Sequence, residues 1–110
     1  MAVLDADVKR RALAATEALA RLGRVRAAYV FGSHAEGRPD RWSDIDLAAF
    51  MEGVGAWDIR RRARAMTQVQ EETGFDIEAH LFADTALRHP QPGSFAAYIL
   101  KHGVCISGQD

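Results

Sequence analysis

A chain of 110 residues, 48% apolar and 26% charged, has the composition of a folded globular protein and the length of one domain, residues 1–110, with no room for a second substrate-binding domain. Its formal charge of −1 gives no general attraction to nucleic acid or to an anionic membrane, so any polyanion binding needs a local patch. The lone cysteine, Cys105, excludes an internal disulfide and a Cys-based zinc site; no stretch nears the roughly 20 apolar residues of a membrane span, and MAVLDADVKR lacks a signal-peptide core, so a cytoplasmic protein is expected.

Val8, Ala12, Ala15, Leu19 and Leu22 recur at steps of four and three, which predicts a helix capped by Asp5 or Asp7 and stopped at Gly23. VRAAYVF, Val25 to Phe31, is apolar on both faces and bounded by glycines, so it reads as a buried strand. After a polar stretch, DIDLAAFM, Asp44 to Met51, is a second strand. EGVGA then turns into a helix from about Trp57 to Thr73, with Ile59, Ala63, Met66 and Val69 or Gln70 inward, Arg60, Arg61, Arg62 and Arg64 off that stripe, and Gly74 as the stop. FDIEAHLF, Phe75 to Phe82, alternates as a third strand: Ile77, Ala79 and Leu81 one way, Asp76, Glu78 and His80 the other. RHPQPG is an irregular loop, Ser94 to about His102 a last helix ending at Gly103, and VCIS a short edge strand. Helices interleaved with short buried strands imply an α/β (α+β) fold, a small mixed sheet with helices packed on it.

Between the first two strands lies GSHAEGRPDRWSDIDL, Gly32 to Leu47. Asp44 and Asp46 sit two apart on a strand, hence on the same face about 7 Å apart. If the second and third strands are neighbours, Asp76 joins them. Carboxylates about 6 Å apart near a surface repel by a few kcal/mol per pair, and a divalent cation with oxygen ligands, such as magnesium, relieves this. Gly32 at a strand end lets the backbone approach a ligand, and Ser33 offers a hydroxyl and an amide to a phosphate. Magnesium beside phosphate is nucleotide chemistry.

Gly32-Ser33, ten residues, then Asp44-Ile45-Asp46, with Asp76 on a later strand, resembles the minimal nucleotidyltransferases of the DNA polymerase β-like superfamily. FAAYILKHGVCIS is similar to the closing helix and strand of those proteins. The resemblance implies that Ser33 holds nucleotide phosphate, beside Gly32; Arg38 or Arg41 either compensates from the spacer for the acidic Glu36 or is a solvated loop arginine. The resemblance further implies that Asp44, Asp46 and Asp76 bind two Mg2+ ions and carry catalysis, Asp76 accepting the attacking hydroxyl's proton, with ATP as substrate. Relatives often carry basic residues where this chain has His34 and Glu36. Stand-alone members resemble antitoxins paired with HEPN-domain RNase toxins, some of which transfer AMP to a tyrosine hydroxyl of the toxin. That role is the leading expectation, and both homo- and hetero-oligomers are compatible with it. Two alternatives are a non-catalytic module that neutralises its partner by contact, and a subunit that modifies a small molecule once a partner supplies the acceptor site.

Other residues carry two readings each. Trp42 and Trp57 either stack on adenine or pack; His80 is a fourth site residue or an ordinary strand histidine; Cys105 reads as small core filling. The arginines from Arg60 to Arg64 form an RNA or acidic-partner patch or a solvated helix face.

Overall fold

The computed structural model describes residues 4–37 and 44–108. Helix α1 (Ala6–Ala20) starts where the Asp5 side chain accepts from the amides of Asp7 and Val8, and its inner stripe of Val8, Ala12, Ala15 and Leu19 is buried. Strand β1 (Val25–Phe31) has the expected bounds, and β2 (Ile45–Met51) begins one residue after Asp44. A 3₁₀ turn at Val54–Ala56 leads into α2 (Ile59–Thr73), which Asp58 caps by accepting from the Arg61 amide at 2.8 Å. β3 (Ile77–Ala83), a four-residue α3 (Thr85–Arg88), α4 (Phe95–His102, capped by Ser94) and β4 (Val104–Gly108) complete the chain.

The strands form one mixed sheet in the order β3-β2-β1-β4. β1 runs antiparallel to β2 and β4, while β2 and β3, joined through α2, run parallel. Helices α1 and α2 cover one face, over a core of Leu19, Ile45, Leu47, Met51, Val69 and Ile77. The other face carries a smaller core of Phe31, Ala48, Phe50 and Ile99, partly roofed by α3 and α4. The central strand β2 is buried at every position except Asp46. A half-exposed carboxylate in the middle of a buried strand must face an opening, and that opening defines the site.

The structure departs from the sequence reading on the inward side of α2 and at Cys105. Ile59 is 85% exposed and Ala63 is exposed, because α2 turns Arg62, Ala65, Met66 and Val69 inward instead. Arg62 earns its inward place by donating to three backbone carbonyls, those of Val54 (2.8 Å), Trp57 (3.4 Å) and Leu81 (3.4 Å). Cys105 is exposed, not core filling, since β4 is an edge strand, and its thiol donates to the Ser107 carbonyl at 3.4 Å. Trp57 is buried and packs, with the Arg61 guanidinium 4.1 Å from its ring centroid. Among the described residues no helix is long and apolar enough to cross a membrane.

Candidate active site

β1 ends against β2 with Phe31 opposite Asp46, and the chain leaves the sheet at Gly32 with φ +79°. A Cβ on Gly32 would stand 2.6 Å from Asp46 Oδ2, so the position needs glycine both for its left-handed backbone and for the space beside the carboxylate. The Glu36 amide donates to the Gly32 carbonyl at 3.0 Å, closing residues 32–36 into one helical turn that starts with the half-buried Ser33. Glu36 accepts a 2.9 Å hydrogen bond from the Tyr98 hydroxyl on α4. That contact pushes the Tyr98 pKa above its ordinary value. Arg38, Arg41 and Trp42 lie outside the described residues.

The parallel register pairs Asp46 with Glu78 and Ala48 with His80. Asp46, Glu78 and His80 therefore project from one face, and their ligand atoms all lie within 4.8 Å of one another. His80 Nε2 stands 3.1 Å from Glu78 Oε1 and 3.8 Å from Asp46 Oδ1. Burial pushes the Asp46 carboxyl up, against the pull of His80; the charges of Glu78 and Asp44 raise it further. Two carboxylates and an imidazole converging beside a glycine turn can hold a divalent cation next to a phosphate.

Asp44 stands exposed one residue before β2. Asp76 stands one residue before β3, its carbonyl accepting from the Ile45 amide at 2.8 Å. Its carboxylate takes both Arg11 guanidinium nitrogens, Nη1 at 3.0 Å and Nη2 more closely, and Arg11 holds its pKa below the ordinary value. Asp76 thus ties α1 to the start of β3, and the acid directly across from Asp46 is Glu78. Sequence alternation already put Asp76, Glu78 and His80 on one face. What it lacked was the register, in which β3 begins at Ile77, opposite Ile45.

A family model described as Polymerase beta, Nucleotidyltransferase matches residues 15–110. No curated protein shows significant similarity to the chain. Among solved structures, a crystal structure of a toxin-antitoxin with AMP-PNP is similar at 21% identity and a TM-score of 0.60, covering 87% of this chain and 73% of that one. A candidate nucleotidyltransferase from Sulfolobus solfataricus is similar at 20% identity and a TM-score of 0.51, covering 74% and 75%. At these identities the two structures share the fold.

Proposed function

The chain belongs to the polymerase beta nucleotidyltransferase family, and from that premise we propose that it transfers AMP from ATP to a hydroxyl of another protein, as the antitoxin that neutralises a HEPN-domain RNase toxin. The observation that carries the reading is the convergence of Asp46, Glu78 and His80 on the face that Gly32 leaves open. Its partner-directed part draws on the fold shared with a toxin-antitoxin crystallised with AMP-PNP.

Each residue has a task in this reading. Asp44, Asp46 and Glu78 would hold the magnesium ions that the resemblance implies, and bound metal supplies neutralisation of the phosphates during in-line transfer. Gly32 admits the phosphate chain close to the backbone, and Ser33 donates to it from the first turn after β1. The acceptor oxygen attacks the α-phosphorus, the bond to the bridging oxygen breaks and pyrophosphate leaves. The acceptor's proton passes to a carboxylate. We assign that part to Glu78 in preference to Asp76, whose carboxylate is already engaged by both terminal nitrogens of Arg11.

The test uses ATP labelled at either end of its phosphate chain, with divalent metal and the partner present. Label at the α-phosphate is expected on the partner, and label at the γ-phosphate on none of the protein. Transfer of the γ-label, or of neither, would overturn the reading. A second reading, neutralisation by contact alone, is favoured by one observation: the acidic Glu36 stands in the glycine turn, where relatives carry a base, and is bound to Tyr98.

A further inference from the structure

The group formed by Asp46, Glu78 and His80 is not the all-oxygen set that magnesium prefers, because one of its three donors is an imidazole nitrogen. That nitrogen is unusually placed. His80 Nε2 is shut off from solvent and makes no hydrogen bond among the described residues, although Glu78 Oε1 lies 3.1 Å away, off the line a hydrogen bond needs. A buried polar nitrogen in that state has lost its water without a hydrogen bond in exchange, and it faces two carboxylates.

The two separations from His80 Nε2 suit a shared ion. Two ligand atoms each about 2.1 Å from a metal stand about 3 Å apart at right angles and about 4 Å apart when opposed. The observed 3.1 and 3.8 Å fall within that interval. The ring is also held in this orientation: it meets Phe31 edge-on at 5.2 Å and Phe95 edge-on at 5.7 Å between centroids, so it cannot swing away without losing both contacts.

We propose that His80 is a metal ligand and that Asp46, Glu78 and His80 bind a first-row transition ion of the Mn2+ class in preference to Mg2+. The inference rests on reading this group as the metal site and goes beyond it in naming the nitrogen ligand and the ion it selects. Divalent first-row transition ions accept imidazole beside carboxylate, whereas magnesium gives up its water reluctantly and takes oxygen.

The experiment titrates the full chain, without nucleotide, with MnCl2, reading free Mn2+ by its solution EPR signal, and then competes with MgCl2. Mn2+ is expected to bind about tenfold or more tightly than Mg2+, and pulsed EPR of the bound ion is expected to show coupling to a directly ligated ¹⁴N. His80→Gln, checked for folding by circular dichroism, should lose that coupling and weaken Mn2+ by about tenfold or more while changing Mg2+ little. Equal affinities, or bound Mn2+ without nitrogen coupling in the unaltered protein, would overturn the proposal. Asp46→Asn separates the two levels of failure. If it abolishes binding while the unaltered protein shows no nitrogen coupling, only the His80 assignment falls; if it leaves binding unchanged, the reading of this group as the metal site falls as well.

Discussion

At Gly32 the constraint on the backbone and the constraint on the chemistry coincide, and they are separable by experiment. Gly32 and Gly37 have nearly the same left-handed φ, +79° and +77°, but a Cβ at position 37 meets nothing within 4 Å while one at 32 strikes Asp46 Oδ2. Both alanine substitutions should cost about 1 kcal/mol of stability from backbone strain, read by urea denaturation. Only Gly32→Ala should also weaken divalent-ion binding, because it forces the Asp46 carboxylate to turn; equal metal affinity in the two variants would separate Gly32 from the site. The Tyr98 hydroxyl offers a second residue-level check. Glu36 raises its pKa, whereas Tyr29 is raised chiefly by burial. In a Tyr29→Phe background, absorbance at alkaline pH should therefore report one tyrosine titrating above the ordinary value of about 10, and Glu36→Gln should bring it down. An unmoved titration would mean that Glu36 is not held by α4 in solution.

At the scale of elements, the Arg11–Asp76 pair fastens α1 to the entry of β3, the strand that brings Glu78 and His80 to Asp46. Because the folded pKa of Asp76 is depressed, the stability it contributes is present above the unfolded value of about 3.9 and is lost as pH falls through the folded value. The Asp76 side chain is 49% exposed, so screening holds the contribution to about 0.5–1 kcal/mol. Asp76→Asn should lose that amount at pH 7 by chemical denaturation and Arg11→Met more, since Arg11 Nη2 also donates to the Thr73 carbonyl at 3.0 Å; the double variant should lose little more than Arg11→Met, and the deficit of Asp76→Asn should vanish once acid protonates the carboxyl. Additive losses would show that the pair does not act as a unit. These contacts also mark where sequence reading stops. Helix and strand positions were legible because their apolar periods are strong, and β1 lies between two glycines that leave no choice of bounds. The side of α2 was misread at Ile59 and Ala63 because periodicity counts apolar side chains and misses Arg62, which is drawn inward by three carbonyls of the 3₁₀ turn and β3. The short α3 has only four residues, too few to display a period. Gly32, Ser33, Asp44 and Asp46 were legible as a local motif, whereas the pairing of Asp46 with Glu78 needed a strand register that no local pattern contains.

The whole molecule measures 35 × 33 × 21 Å, and its short dimension is that of two layers about 10 Å deep. A site on the sheet face roofed only in part by α3 and α4 therefore lies close to the surface, and the Asp46 side chain is still 30% exposed. A hydroxyl carried on a protein can reach such a site without passing through a tunnel, as the proposed transfer requires. Chemistry and contact then predict different behaviour of one variant. Asp46→Asn removes the charge opposite Glu78 and near His80 but leaves the rest of the surface as it is, so the complex with the partner should form with unchanged affinity by calorimetry. If the proposed neutralisation of an RNase toxin is chemical, that toxin's activity should persist in the complex even with metal and ATP, and α-label should stay on the nucleotide. It should fall only with the unaltered protein, in proportion to label on the partner, and stay low after the two proteins are separated, because a phosphodiester-linked AMP outlasts the contact that delivered it. Full inhibition by Asp46→Asn without label, reversed on separation, would instead establish neutralisation by contact and leave the acidic site without a part in it.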